Sequence, residues 1–127
     1  MEYTNENKRT VLIVDDDEDL LILVQHALAA EGYEPICSPN GVNVMAIVAR
    51  KHPDIVLLDI HMNGTDGATI CRELKLNPET SSTPVIMFSA NENIKEVSRD
   101  CGADGYITKP FSSDDFKHKF RSVLIQR

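Results

Sequence analysis

Short apolar segments rich in branched residues alternate along the chain with segments whose apolar residues recur at every third or fourth position. The apolar segments cover residues 11–14, 33–37, 55–58, 85–88 and 106–108. Each has the length of a buried strand, and the periodic segments between them have the spacing of amphipathic helices. The alternation predicts five βα units in an α/β domain.

The first predicted helix carries Leu20, Leu23, Val24, Ala27 and Leu28 on its inner face and ends before Gly32. The second is capped by Ser38 or Asn40 and ends before Pro53, and the third covers residues 68–76. A short fourth helix ends near Cys101, and the fifth follows a cap at Ser112 or Ser113. Strands as apolar as these require cover on both faces, so we expect five helices around a doubly wound parallel sheet.

The size and charge of the chain narrow the possible functions. With 127 residues, of which 42% are hydrophobic, the chain can form one core, and we expect a flexible arm over residues 1–9 and one domain over 10–127. The net charge of −7 leaves no basic stripe for DNA or RNA, so direct nucleic-acid binding is not expected.

No apolar run approaches the ~20 residues needed to cross a membrane, and the first residues do not form a signal peptide. We therefore expect a cytoplasmic protein without membrane contact. The three cysteines share no short ligand spacing, which argues against a disulfide framework or a zinc site.

Polar side chains follow four of the predicted strands. They are Asp15, Asp16 and Asp17 after the first strand, Asp59 after the third, Ser89 after the fourth and Lys109 after the fifth. Because ligands of open parallel sheets bind beyond the carboxyl ends of the strands, we expect these side chains to converge on one site.

Clustered carboxylates repel one another, and a divalent cation with oxygen ligands offsets this repulsion. Mg²⁺ prefers one or two carboxylates together with water and phosphate oxygens. In such a site Asp59 is a candidate nucleophile toward phosphorus, Lys109 a candidate cation for the phosphoryl oxygens, and Ser89 a candidate hydrogen-bond donor to them.

Four runs of the sequence resemble, in order and spacing, the four signatures of response-regulator receiver domains, the CheY-like superfamily. They are VLIVDDDED, IVLLDIHMNGTDG, VIMFSA and ADGYITKPF. The resemblance covers roughly residues 10–125. It implies a flavodoxin-like sheet of strand order 2-1-3-4-5 and a stand-alone, single-domain member of the family.

The resemblance also implies a role for each matching residue. It makes Asp15 and Asp16 the acidic pair, Asp59 the phosphoacceptor and Lys109 the site lysine, and it makes Ser89 and Tyr106 the switch residues. Mg²⁺ would be held by Asp15, Asp16, Asp59 and the backbone carbonyl of His61. The family also tends to hold the Lys109–Pro110 peptide bond in the cis form.

The implied function is phosphorelay signalling. Asp59 would receive a phosphoryl group from a phosphohistidine on a sensor histidine kinase or a histidine phosphotransfer protein, and a downstream effector protein would read the result. Such a protein is not an enzyme in the usual sense, because it catalyses only its own phosphorylation and dephosphorylation.

Two alternatives remain open. A phosphohydrolase of the haloacid dehalogenase type also carries Asp-x-Asp after its first strand, and Asp15 with Asp17 fits that spacing. A pseudo-receiver would keep the fold and act as a binding module without phosphorylation.

Overall fold

Five parallel strands form the central sheet of the protein. The structure is a computed structural model that describes residues 8–62, 64–90 and 92–125. The strands are β1 (Thr10–Val14), β2 (Glu34–Ser38), β3 (Ile55–Asp59), β6 (Val85–Ser89) and β7 (Gly105–Thr108). A separate antiparallel hairpin of β4 (His61–Met62) and β5 (Thr65–Asp66) follows β3. The strands of the large sheet lie in the spatial order β2-β1-β3-β6-β7. When only these five strands are counted, this is the predicted order 2-1-3-4-5, so the predicted fold class is confirmed.

Five helices cover the two faces of the sheet. They are α1 (Glu18–Ala30), α2 (Val44–Lys51), α3 (Gly67–Leu76), α4 (Ile94–Asp100) and α5 (Ser113–Ile125). Alternate side chains of each strand point to opposite faces. Leu12 and Val14 therefore pack in the cluster with α2, α3 and α4, whereas Val11 and Ile13 pack in the cluster with α1 and α5.

Two details of the predicted helices are wrong. Leu23, predicted on the inner face of α1, is 65% exposed, because Leu21, Val24 and Leu28 supply the buried stripe. The cap predicted at Ser38 or Asn40 is also absent, since α2 begins only at Val44.

Local side-chain hydrogen bonds form the cap that was predicted for α5. Ser112 forms a reciprocal cap with Asp115: the Asp115 backbone N–H donates to the Ser112 hydroxyl at 3.3 Å, and the Ser112 N–H donates to the Asp115 carboxylate at 2.7 Å. This confirms the predicted cap at Ser112.

Residues 1–7 of the predicted arm lie outside the described residues. The backbone carbonyl of Arg9 accepts a hydrogen bond from the Glu34 N–H at 2.8 Å, which joins the chain before β1 to β2. The division into an arm and a domain stays a prediction. Among the described helices, none combines the length and apolar character required to cross a membrane.

Candidate functional site

The register of the sheet brings the predicted site residues to one edge. Val14 pairs with Leu58, so Asp15 and Asp59 are the next residues of neighbouring strands. Ser89 pairs with Thr108, and the Lys109 N–H donates to the Ser89 carbonyl at 3.0 Å. Parallel strands end at the same edge, which is why these four positions meet.

Asp15, Asp16 and Asp59 form an acidic cluster at this edge. One carboxylate oxygen from each lies within 4.8 Å of the others. Asp15 is 1% exposed and Asp59 is 5% exposed, so two of the three carboxylates are removed from water. Three oxygen donors at this spacing fit a hard divalent cation such as Mg²⁺.

Lys109 brings a positive charge to the site. Its Nζ lies 2.9 Å from Asp15 Oδ2 and 3.5 Å from Asp59 Oδ1, and so contacts carboxylates from two strands. The same ammonium lies 4.5 Å from the centroid of the Phe88 ring, an attractive contact with the face of an aromatic side chain. The Lys109–Pro110 peptide bond is cis.

The environment of Asp59 changes its protonation. Burial raises the pKa of Asp59 from its usual 3.8 to about 6, and the charges of Asp15 and Asp16 act in the same direction. Lys109 opposes the rise. Asp59 is therefore a carboxylate whose negative charge is only partly compensated by protein groups, as expected of a group that shares a cation site.

Asp17 caps α1 and lies outside the acidic cluster. Its carboxylate accepts a hydrogen bond from the Leu20 N–H at 3.1 Å and caps α1, while its own N–H donates to Asp15 Oδ1 at 2.9 Å. Asp17 thus helps to fix Asp15. Its capping role leaves the phosphohydrolase alternative, which pairs Asp15 with Asp17, without support.

The remaining predicted residues, Ser89, Tyr106 and His61, lie on β6, β7 and β4. Ser89 is buried at the end of β6. Tyr106 is half-buried on β7, where it pairs with Met87 and lies under the ammonium of Lys119, 5.5 Å from the ring centroid. His61 is exposed at the start of β4, opposite Asp66.

Gly67 is a site residue to which the sequence pattern assigned no role. Its N–H donates to the Ile60 carbonyl at 2.7 Å, and a Cβ at this position would lie only 1.9 Å from the Asp59 carbonyl oxygen. The first turn of α3 therefore packs directly on the backbone of Asp59. An Asp-Gly pair just after a strand is a signal that could have pointed to this close approach.

We expect Gly67→Ala to lower the free energy of unfolding by about 2–3 kcal/mol, because the Asp59 backbone must move to admit the methyl group. Urea unfolding measures this. Gly32→Ala is the matched control: its φ is +91° with open space around it, so it should cost only about 1 kcal/mol. Equal losses in the two variants would contradict the packing role of Gly67.

Comparison with known proteins agrees with this geometry. A family model described as the response regulator receiver domain matches residues 11–121. The curated protein "Probable transcriptional regulator ycf27" of Porphyridium aerugineum is 34% identical over 119 residues, which are 92% of this chain and 48% of that protein. The chain thus spans about half the length of this relative.

Solved structures show the same similarity. The receiver domain of NtrX from Brucella abortus is 30% identical, with 92% of this chain and 99% of that chain covered and a TM-score of 0.81. The signal receiver domain of a signal transduction histidine kinase from Syntrophus aciditrophicus is 28% identical, with 93% and 91% covered and a TM-score of 0.83.

The family match covers most of the chain, and the sheet order and the strand-end site agree with it. The chain therefore belongs to the response regulator receiver domain family of two-component signalling systems.

Proposed function

We propose that Asp59 accepts a phosphoryl group in a Mg²⁺-dependent reaction, from a phosphohistidine on a sensor histidine kinase or a histidine phosphotransfer protein. The phosphorylated chain then signals to a downstream effector protein. The observation that carries this proposal is the placement of Lys109, whose ammonium contacts Asp15 and Asp59 beside a cluster of three carboxylates.

Phosphoryl transfer to Asp59 makes one bond and breaks one. A carboxylate oxygen of Asp59 forms the new O–P bond as the N–P bond to the donor histidine breaks, and the histidine leaves as neutral imidazole after taking up a proton. With a pKa of about 6, Asp59 is mostly ionised at pH 7 and so has the electron pair that the reaction needs.

The side chains around Asp59 have separate tasks in this proposal. Lys109 offsets negative charge on the phosphoryl oxygens, and the Ser89 hydroxyl donates a hydrogen bond to one of them. Asp15, Asp16, Asp59 and the His61 carbonyl would hold Mg²⁺, which would supply positive charge to the carboxylates and to the transferring group. The same site later admits water, which hydrolyses the acyl phosphate.

The proposal is tested by incubating the protein with a small acyl phosphate donor and measuring its intact mass. We expect a gain of one phosphoryl group in the presence of Mg²⁺, its localisation to Asp59 by fragmentation, and loss of the gain when EDTA removes the metal. A phosphoryl group on another residue, or uptake that is unchanged by EDTA, would contradict the proposal.

Asp16 and Asp17 provide a matched pair for the metal site, since both carry one charge after β1. We expect Asp16→Asn to weaken Mg²⁺ binding by about tenfold or more in calorimetry, because it removes a ligand oxygen from the cluster. Asp17→Asn should have a small effect, because asparagine also caps helices well. Weak Mg²⁺ binding by the unsubstituted protein, with no response to beryllofluoride, would favour the pseudo-receiver.

An apolar groove beside Lys109 supports a protein as the donor. The groove has a volume of about 450 Å³, and Leu20, Leu23 and Phe111 are among its lining residues, with Lys109 on its border. A helix that presents a phosphohistidine could bury apolar side chains here while its imidazole reaches Asp59. In this proposal the exposed Leu23 side chain contacts the donor protein.

We expect Leu23→Asp to slow transfer from a phosphorylated histidine phosphotransfer protein by about tenfold or more, because burial of this side chain contributes to docking. Transfer from the small acyl phosphate donor should not change. Ile22→Asp is the control, since Ile22 is also exposed, at 54%, but does not line the groove. Equal slowing by both variants, or slowing with the small donor, would contradict docking at this groove.

The output of the proposed switch is the face formed by α4, β7 and α5. Tyr106 lies at its centre, between a groove lined by Pro110 and Lys119 and another lined by Ser98 and Arg99. Phosphorylation would draw Ser89 toward the phosphoryl group and let Tyr106 turn inward, which changes this face. The effector protein then binds one form better than the other.

A further inference from the structure

Two buried cysteines from different helices meet in the core beneath the output face. Cys71 lies in α3 and Cys101 is the residue that ends α4, and the two are 0% and 2% exposed. Both belong to the same apolar cluster. The third cysteine, Cys37, is exposed on β2, where its thiol donates to Gln25 Oε1 at 3.7 Å.

The two cysteines contact each other through the Cys71 thiol and the Cys101 backbone. The Cys71 thiol donates a hydrogen bond to the Cys101 carbonyl at 3.4 Å. The neighbouring Cys71 side chain lowers the pKa of Cys101 below its usual range, whereas the Cys101 side chain and burial raise the pKa of Cys71. Cys101 is thus the thiol of the pair that ionises first.

Cys101 lies beside a residue that lines a surface groove. The Cys101 Sγ lies 3.5 Å from the carbonyl of Ser98, and Ser98 and Ala103 line a groove of about 350 Å³ between α4 and β7. The Ser98 hydroxyl is buried and, among the described residues, has no hydrogen-bond partner. The groove therefore brings solvent to the residue that the Cys101 thiol contacts.

From this juxtaposition we infer that Cys71 and Cys101 form an oxidisable dithiol, which closes to an intramolecular disulfide between α3 and the end of α4 in the presence of a peroxide. The Cys101 thiolate attacks hydrogen peroxide, giving a sulfenic acid and water after proton transfer. The Cys71 sulfur then attacks the Cys101 sulfur and releases the second water. Two thiols and one peroxide thus become one disulfide and two waters.

The disulfide would also affect the proposed switch, a consequence that rests on the proposed function. Cys101 ends α4, one of the elements of the output face, and a covalent link to α3 restricts the movement of that end. Oxidation should therefore reduce the response of the face to phosphorylation.

The test treats the full chain carrying Cys37→Ser with hydrogen peroxide. We expect the intact mass to fall by two hydrogen atoms. Neither remaining cysteine should still react with an alkylating reagent in denaturant, and a single cross-linked peptide pair should contain residues 71 and 101. Dithiothreitol should reverse all three changes. Persistence of both free thiols, or accumulation of a sulfinic acid on Cys101, would overturn the inference.

Two single variants, Cys71→Ala and Cys101→Ala, serve as controls, with circular dichroism to verify that each is folded. Neither variant should form the disulfide between residues 71 and 101. Sulfenic acid should accumulate on Cys101 in the Cys71→Ala variant and not on Cys71 in the Cys101→Ala variant. Sulfenic acid on Cys71 in the Cys101→Ala variant, at an equal rate, would contradict the assigned order of attack.

Hydrogen exchange over residues 94–108 measures the effect on the switch. Beryllofluoride with Mg²⁺ should change exchange there in the reduced protein, and the change should be at least halved in the disulfide form. An equal change in both forms would overturn the regulatory consequence. Failure of the proposed function is recognised separately, because the reduced protein would then show no response at all.

Discussion

The Asp59→Asn variant is expected to take up no phosphoryl group and, at pH 7 without metal, to be more stable than the unsubstituted protein. The first effect follows from loss of the nucleophilic carboxylate. The second follows from burial: Asp59 is 5% exposed, and its charged form is penalised strongly enough to raise its pKa to about 6. Asparagine fills nearly the same volume without that charge.

The size and pH dependence of the stability gain follow from the pKa. Folded Asp59 retains its proton to about pH 6, whereas the unfolded carboxyl loses it near its usual pKa of 3.8. The folded state therefore binds more protons between about pH 4 and pH 6, and the free energy of unfolding falls as the pH rises through this window. At pH 7 we expect Asp59→Asn to be more stable by on the order of 2 kcal/mol, and this difference should vanish below about pH 4.

Urea unfolding in EDTA at pH 4 and pH 7, together with intact mass after incubation with the acyl phosphate donor, measures both effects. Asp19→Asn is the charge-matched control, since Asp19 is exposed in the first turn of α1. It should leave phosphoryl uptake intact and should not reproduce the pH-dependent gain. Lower stability of Asp59→Asn at pH 7, or uptake at the wild-type rate, would contradict the assignment.

The sheet could be predicted because its strands are apolar on both faces. The apolar runs at residues 11–14 and 55–58 predict strands, and the polar residues that follow four of the strands mark the functional edge. Burial of both sheet faces also required helices on each side. Strand direction predicted that Asp15, Asp59 and Lys109 lie at one edge of the sheet, whereas the strand order was implied by the family resemblance.

Features that depend on contacts between distant segments of the chain could not be predicted from the sequence. Leu23 fits the helical repeat of apolar residues as well as Val24 does, but the buried stripe of α1 is narrow and leaves Leu23 outside. The hairpin of β4 and β5 consists of two-residue strands, too short for any periodicity. The roles of Gly67 and of the Cys71–Cys101 pair depend on close approach between segments that are separated along the chain.

Lys109→Met is expected to slow phosphoryl uptake by about 10²–10³-fold. The substitution removes the ammonium that contacts both Asp15 and Asp59. The oxygens of the transferring phosphoryl group then lack the positive charge that offsets their negative charge. Methionine keeps much of the length of the side chain and its contact with the Phe88 ring. Lys95→Met, which removes an exposed charge on α4, is the control and should retain uptake.

A second readout separates the charge of Lys109 from a merely structural role. Lys109 opposes the rise in the pKa of Asp59, so its removal should move that pKa above about 6 and shift the pH midpoint of any residual uptake upward. It should also lower the free energy of unfolding at pH 7 by about 2 kcal/mol, since two buried carboxylates lose their cation.

The double variant Asp59→Asn with Lys109→Met completes the cycle. Because one buried charge is then absent, we expect it to regain part of the stability that Lys109→Met loses, with a coupling of about 1 kcal/mol or more in urea unfolding. Additive effects of the two substitutions would mean that Lys109 does not stabilise the Asp59 carboxylate. The charge balance on which the proposed phosphoryl transfer depends would then have to come from another group.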